Sequence, residues 1–317
     1  MTRAVPASAV EQATDRLARP RRLTAVSLVA ACRPEQWTKN FFVFAALLFA
    51  KRLQDREALG AAVETFAIFC ALSSAVYLVN DIADREADRE HPLKRFRPIA
   101  SGELSPVTAG AAAALLAGVG VAAAWAIGPP LGLTALAYLG LQAAYSAILK
   151  HIVILDALAI ASGFVLRAVA GGVAIAVPVS NWLLACTTLL ALFLALAKRR
   201  HELISLSGGA TRHRPILDEY NPYLLDQMIA VVTASAVVAY AAYTTSPETS
   251  AKLGTDRLAL TIPFVLYGVF RYLYLVHRKD GGGNPSALLL TDAPLLACVV
   301  LWAAAVVVLL YTPVGHP

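Results

Sequence analysis

The chain has 317 residues, of which 58% are hydrophobic and only 15% are charged, and its mean hydropathy is +0.63. This composition excludes an ordinary soluble globular domain and indicates a helical membrane protein. The net charge of +6 does not indicate binding to nucleic acid, because the basic residues lie in short loops between apolar segments, where the positive-inside rule accounts for most of them.

The first 22 residues contain five arginines but no long apolar run. We therefore expect a polar, basic tail on the cytoplasmic side rather than a cleaved signal peptide. No later segment is polar and long enough to form a soluble core of its own. The sequence thus predicts a basic tail over residues 1–22 and a single transmembrane domain, which would hold any catalytic site, over residues 23–317.

Apolar segments recur along the rest of the chain, and most are long enough as helices to cross a hydrocarbon core of about 30 Å. The pattern predicts an all-α, polytopic bundle of about nine spans in the cell (inner) membrane. The N-terminus is predicted to be inside, because the loops that would then face the cytoplasm hold most of the Lys and Arg residues. Those loops are residues 80–106, 149–151, 199–222 and 277–290, and the predicted spans are residues 36–50, 58–79, 107–126, 131–148, 152–176, 181–198, 223–245, 258–276 and 291–312.

An acidic segment follows directly on the second span. If the helix continues, Asp81, Asp84 and Asp88 recur at i, i+3 and i+7 and share one face, with Asn80 beside them. Such clustering is costly unless cations neutralise it, and Mg²⁺ typically takes one or two carboxylates together with substrate phosphates. We therefore predict that the three carboxylates are catalytic metal ligands; the alternative is a solvated acidic helix end.

A basic stretch comes immediately downstream of the acidic segment. The positive-inside rule alone could explain Lys94, Arg95 and Arg97. Beside a carboxylate and metal cluster, however, these side chains are suited to bind phosphate oxygens, and arginine offers bidentate geometry for that purpose.

Several polar residues also lie at the start of the first span. Arg33, Gln36 and Asn40 fall on one helical stripe, with Lys39 alongside Gln36. Two interpretations are open: these residues bind phosphate, or they anchor the helix at the membrane interface together with Trp37.

The fifth span contains two ionisable residues, Asp156 and Arg167, which are eleven positions apart and so return nearly to the same helix face. Charges inside a span usually face a cavity or a partner, so we predict substrate binding, with a structural ion pair to another helix as the alternative.

Lys198, at the end of the sixth span, is the next basic candidate. Three glycines are predicted to allow close helix packing: Gly163, Gly171 and Gly172.

These motifs resemble the UbiA-type prenyltransferase superfamily. The matching residues are the Asn-Asp-x-x-Asp-x-x-x-Asp pattern at 80–88 and the Lys-Arg-Phe-Arg-Pro-Ile-Ala-Ser-Gly stretch at 94–102. With the motif placed after the second of nine spans, the resemblance covers nearly the whole chain. It implies the helical bundle of that superfamily and Mg²⁺-dependent chemistry on a diphosphate substrate.

Within the superfamily, the segments at 33–40, 149–151 and 162–172 are similar to the decaprenyl-phosphate phosphoribosyltransferases. This likeness implies transfer of the 5-phosphoribosyl group from phosphoribosyl diphosphate to a polyprenyl phosphate, with release of diphosphate, for cell-envelope polysaccharide precursors. Prenyl-transferring members carry a second Asp-x-x-x-Asp pair, whereas Asp156 stands alone here. That departure favours the phosphoribosyl reading.

Two other functions remain as alternatives: prenylation of an aromatic ring of the 4-hydroxybenzoate type, and transport. A transporter should show inverted internal repeats, and none is convincing in this sequence. We expect membrane lipids as surroundings and leave the oligomeric state open. The candidate substrate-binding residues are Gln36, Lys39, Asn40, Asn80, Lys94, Arg95, Arg97, Lys150, His151, Asp156, Arg167 and Lys198.

Overall fold

The structure is a computed structural model that describes residues 24–92, 94–205, 215–279, 283 and 285–312. The predicted basic tail at 1–22 lies outside the described residues. Every regular element in those ranges is a helix, so the predicted all-α class is confirmed. The α-helices are α1 (Thr24–Cys32), α2 (Phe44–Phe49), α3 (Arg56–Ala83), α4 (Arg85–Glu90), α5 (Pro98–Ser101), α6 (Pro106–Ile127), α7 (Pro129–Ala147), α8 (Leu155–Ala174), α9 (Asn181–Ser205), α10 (Pro222–Thr245), α11 (Pro247–Leu253), α12 (Ile262–Arg278), α13 (Pro285–Thr291) and α14 (Ala293–Tyr311).

Short 3₁₀ helices join or extend several of these elements. They lie at Pro34–Val43, Lys94–Phe96, Leu149–His151, Pro215–Glu219 and Arg257–Thr261.

Seven helical segments in the described ranges are long and apolar enough to cross a membrane. They coincide with seven of the nine predicted spans, and the chain is a multi-pass membrane protein. Large apolar side chains on outward faces, such as Val107, Leu115 and Val119 of α6, are exposed, as contact with lipid requires. The seven segments are Arg56–Ala83, Pro106–Ile127, Leu155–Ala174, Asn181–Ser205, Pro222–Thr245, Arg257–Arg278 and Ala293–Tyr311.

The other two predicted spans differ in form. The span predicted at 131–148 is the 19-residue helix α7, which carries polar side chains such as Gln142 and is less apolar than the seven. The span predicted at 36–50 is not one α-helix but a 3₁₀ helix followed by the short α2. Arg33 has a φ of 54°, and Pro34 disfavours α conformation in the residue before it, so the chain cannot continue α1 directly.

Helix α8 lies at the centre of the bundle and contacts α3, α7, α9 and the 3₁₀ helix at 34–43. A Cβ atom at Gly171 would collide with the carbonyl group of Val43, and one at Gly172 would collide with the side chain of Val179. The predicted close packing is thus confirmed at both positions. At Gly163 a Cβ would make only an ordinary contact, 3.5 Å from Nη1 of Arg167.

We predict that Gly171→Ala destabilises the protein by about 1–3 kcal/mol, the usual penalty for overpacking a core, because the backbone of Val43 cannot move away without shifting the 3₁₀ helix. Gly140→Ala is the matched control, since nothing lies within 4 Å of a Cβ at that position of α7. Replacing an unconstrained helical glycine by alanine is neutral or stabilising by up to about 1 kcal/mol. Thermal unfolding of the two purified variants measures the difference, and equal unfolding temperatures would contradict the packing argument.

Candidate active site

A cavity of about 1220 Å³ runs between the helices. Its polar wall comes from the 3₁₀ helix at 34–43, the end of α3 and the facing sides of α7, α8 and α9. The remaining wall is aromatic and aliphatic, with Phe49, Trp182, Tyr243 and Trp302 among its residues. Of the predicted substrate-binding residues, the ones that line this cavity are Gln36, Lys39, Asn80, Arg167 and Lys198.

The acidic segment does not form one continuous helix. Helix α3 ends at Ala83, Asp84 adopts a φ of −87° and a ψ of 6°, and α4 restarts at Arg85. As a result Asp81 and Asp88 are both buried, whereas the side chain of Asp84 is 49% exposed. Asp84 lies 3.7 Å from Nζ of Lys150 instead. The expectation that all three carboxylates share one face therefore does not hold for Asp84.

Arg97 joins the two buried carboxylates. Its Nη1 atom donates to Oδ2 of Asp88 at 2.6 Å and to Oδ1 of Asp81 at 3.1 Å. Asp81 also accepts a hydrogen bond of 2.5 Å from Arg33. The guanidinium of Arg33 lies 4.8 Å from the centre of the Tyr77 ring. Two of the predicted metal ligands thus converge on a single cationic nitrogen.

The described ranges hold no group of three or more His, Cys, Asp and Glu residues arranged to bind a metal ion. The donor set nevertheless fits Mg²⁺, because Asp81 and Asp88 already share one cation. Mg²⁺ usually takes only one or two protein carboxylates and completes its shell with water and phosphate oxygens. Asn80, which immediately precedes Asp81, lines the cavity and accepts a hydrogen bond of 2.8 Å from Ser146.

Arg167 is a buried cation held by neutral groups. Its three nitrogens donate to Oδ1 of Asn40 at 2.6 Å, to the carbonyl of Gly163 at 2.8 Å and to the hydroxyl of Tyr138 at 3.0 Å. None of the ion pairs within the described residues involves Arg167. A charge inside a membrane bundle is costly unless it has a partner, so this guanidinium favours an anionic ligand in the cavity.

Lys39 adds a second cation to the same wall. Its Nζ atom lies 3.5 Å from the hydroxyl of Tyr77, and both residues line the cavity. The phosphate-binding interpretation of the stripe at 33–40 is thus favoured by position, although Trp37 also makes a hydrogen bond, to Ser74 at 3.1 Å.

Asp156 has a different environment from Arg167. It is fully buried, does not line the cavity, and accepts hydrogen bonds from Arg199 at 2.6 Å and from the hydroxyl of Tyr220 at 2.9 Å. Tyr220 lies outside the spanning helices. Burial, opposed by the backbone N–H of Ile154 and reinforced by the charge of Asp156, raises the pKa of Tyr220 to about 12, so the hydroxyl keeps the proton that it donates. This geometry matches the alternative of a structural ion pair.

Arg199 was not singled out by the sequence, because it sits in a run of basic residues at a helix end. A signal was nonetheless present: Arg199 is four residues after Ala195 and eight after Ala191, and all three are buried. Small residues at helical spacing mark a packed face. Arg199 also binds Glu202 at 2.8 Å and donates to Tyr145, a residue of the cavity wall, at 3.3 Å.

Of the remaining candidates, one lines the cavity and three do not. Among the described residues, Lys94, Arg95 and His151 do not line the cavity, and the guanidinium of Arg95 lies 4.7 Å from the centre of the exposed Phe96 ring. Lys198 lines the cavity and lies 3.7 Å from Glu202.

Known proteins align with this chain over most of its length. The sequence profile of the UbiA prenyltransferase family matches residues 40–291. The chain is 36% identical over 285 residues to a decaprenyl-phosphate phosphoribosyltransferase of Mycobacterium tuberculosis, covering 88% of this chain and 92% of that protein. It is 35% identical over 298 residues to the Corynebacterium glutamicum protein of the same name, covering 92% of this chain and 89% of that protein.

The fold also resembles a solved structure, that of a UbiA homolog from Archaeoglobus fulgidus bound to DMAPP and Mg²⁺. The TM-score is 0.68 and the identity 18%, and the match covers 89% of this chain and 99% of the archaeal chain. At this identity the likeness concerns the fold alone.

We predict that Asp156→Asn lowers the unfolding free energy by about 3 kcal/mol, because Arg199 would lose a buried partner. Asp84→Asn is the control, since that carboxylate is half exposed and should change stability by less than about 1 kcal/mol. Denaturation of both variants without substrates measures the effect. An Asp156→Asn protein of unchanged stability that has lost turnover would instead assign Asp156 to substrate binding.

Proposed function

Because the chain belongs to the UbiA prenyltransferase family, we propose that it is a membrane-bound transferase that moves the 5-phosphoribosyl group of phosphoribosyl diphosphate to a polyprenyl phosphate and releases diphosphate. The observation that carries the proposal is that relatives named for this activity align over 88–92% of the chain. Decaprenyl phosphate is the acceptor that their name specifies.

The environment of Asp156 supports a phosphoribosyl donor over a prenyl diphosphate donor. The sequence has no second Asp-x-x-x-Asp pair, and the solitary Asp156 is already engaged by Arg199 and Tyr220. A second metal held by carboxylates, as in prenyl transfer, therefore has no evident ligands in the described part of the chain. This counts against the aromatic prenyltransferase alternative.

Anion binding follows from the cations of the polar wall. Arg33, the residue before the 3₁₀ helix at 34–43, Lys39, within that helix, and Arg167 of α8 would bind phosphate oxygens of the two substrates, both of which are anions. Asp81 and Asp88 would hold Mg²⁺, with Asn80 next to them. When bound, the ion would supply positive charge to the leaving diphosphate. Arg97, which bridges those carboxylates, would then be available to a phosphate group.

The reaction would proceed at the sugar carbon that bears the diphosphate. As the bond from this carbon to the diphosphate oxygen breaks, the carbon gains positive charge and the diphosphate takes the electron pair. An oxygen of the lipid phosphate forms the new bond. The acceptor oxygen is already anionic, so no strong general base is needed, and fixed cations near the leaving group lower the barrier because charge develops there.

The apolar part of the cavity would take the polyprenyl tail. Its wall includes Phe49 and Leu253, and aromatic residues from α9, α10 and α14 complete it. An apolar wall suits such a chain because it offers the tail surroundings as apolar as the bilayer from which the tail comes. A cytoplasmic orientation of the polar end, with the N-terminus inside, follows from the positive-inside rule and would give the water-soluble donor direct access. The lipid-linked pentose would then serve cell-envelope polysaccharide synthesis.

The test is incubation of the purified protein with Mg²⁺, radiolabelled phosphoribosyl diphosphate and decaprenyl phosphate. We expect label in the lipid phase and its loss when EDTA removes the metal. No label, with product formed instead from a prenyl diphosphate and 4-hydroxybenzoate, would replace the proposal by aromatic prenylation. No product in either assay, together with uptake into proteoliposomes, would favour transport.

A second prediction concerns the buried carboxylates. Asp81→Asn and Asp88→Asn should each lower kcat by roughly 10²–10³, the usual effect of removing one preorganised electrostatic group. Glu86→Gln is the control from the same segment, because that side chain is 77% exposed and pairs only with Arg85 and Arg89 among the described residues. Folded aspartate variants with wild-type turnover would exclude the proposed metal site.

A further inference from the structure

Tyr272 of α12 has a buried hydroxyl without a hydrogen-bond partner in the described part of the chain. The residue is only 5% exposed, and its ring packs edge-on against Phe193 of α9, with ring centres 5.1 Å apart. Native proteins satisfy nearly all buried polar groups, so an exception needs an explanation, and a ligand is one that function can supply.

Other hydroxyls on the cavity wall differ from that of Tyr272. The hydroxyl of Tyr240 bonds to Thr261 at 2.7 Å and to Trp302 at 2.9 Å. That of Tyr145 accepts a hydrogen bond from Arg199. Tyr272 also lines the cavity. Among the described tyrosines, Tyr272 is the one whose hydroxyl is both fully buried and without a hydrogen-bond partner.

The surroundings of Tyr272 indicate what kind of atom it would bind. Its buried neighbours are apolar, among them Phe193, Leu275 and Leu295. The cations Lys39 and Arg167 belong to other elements, the 3₁₀ helix and α8. A charged ligand group packed among these apolar side chains would be desolvated, which is costly. An uncharged oxygen, such as that of a sugar hydroxyl, suits this position.

The location of Tyr272 is compatible with a sugar that is joined to a phosphate group. Phe193, which Tyr272 contacts, precedes Lys198 by five residues on α9, or about 7.5 Å along the helix axis. Both residues line the cavity. A donor whose phosphates lie near the basic residues would therefore place its pentose ring toward α12.

We propose that Tyr272 hydrogen-bonds a ribose hydroxyl of the donor and thereby helps to select a phosphoribosyl diphosphate over a prenyl diphosphate. The assignment rests on the proposed function, since the lipid acceptor has no uncharged hydroxyl. A buried group built to bond a substrate hydroxyl discriminates strongly against a substrate that lacks it. Tyr272 is in this sense a specificity-determining residue.

The test compares Tyr272→Phe with the wild-type protein. Without substrates, the variant should unfold at the same or a higher temperature, because it loses an unsatisfied polar group. KM for phosphoribosyl diphosphate should rise about three- to ten-fold, the effect of one neutral hydrogen bond, with KM for polyprenyl phosphate unchanged. With 2-deoxy and 3-deoxy analogues of the donor, the difference between the variant and the wild-type protein should disappear for one of the two. Tyr267→Phe, on the half-exposed face of the same helix, is the control and should change neither quantity.

Three outcomes would overturn the assignment while leaving the proposed function intact. An unfolding temperature that falls in Tyr272→Phe would show that the hydroxyl has a partner within the protein. A raised KM for the lipid alone would move Tyr272 to the acceptor, and unchanged kinetics would exclude any substrate contact. Absence of wild-type turnover with phosphoribosyl diphosphate is a separate result, which would overturn the proposed function and this assignment with it.

Discussion

The need to partner every charge inside a membrane bundle determines most of this site. Two of the arginines in the bundle meet this need with carboxylates: Arg199 pairs with Asp156, and Arg33 pairs with Asp81. Among the described residues, Arg167 meets it with neutral oxygens and with the aromatic rings of Tyr138 and Phe164. On the cavity wall, Arg33 and Lys198 also have carboxylate partners, whereas Arg167 is in none of the ion pairs of the described residues. Because Arg167 has no carboxylate partner among the described residues, an anion is the ligand that best completes its surroundings.

The packing of α8 determines the position of Arg167. Glycine at 171 lets the backbone of the 3₁₀ helix approach α8 closely, and Asn40, on that 3₁₀ helix, then reaches Arg167. Asn40 itself is fully buried and also donates toward Cys70 and Ser73 of α3. Three elements are therefore tied together around one guanidinium. The polar contacts of this wall and its backbone packing thus depend on the same helix, α8.

The break in the helix at Asp84 has a similar effect on the acidic segment. Asp88 pairs with Arg97, whereas Asp84, at the junction of α3 and α4, lies near Lys150. The segment presents two carboxylates to the interior and one to the rim. Carboxylates that share a cation in this way are well suited to exchange it for a metal ion and a phosphate group, whereas three crowded carboxylates would repel one another.

The sequence by itself determined the membrane bundle and the approximate positions of seven of its long helices, because length and hydropathy are local properties of each segment. It also located the acidic and basic segments and, by resemblance, the family. Only the tertiary structure decided which charges meet: Asp156 pairs with Arg199, 43 residues away, and not with any group suggested by its own helix. The 3₁₀ geometry at 34–43 and the orphaned hydroxyl of Tyr272 were likewise beyond sequence reasoning. Each depends on how helices distant in the sequence pack side by side, and the periodicity of a single helix carries no information about its neighbours.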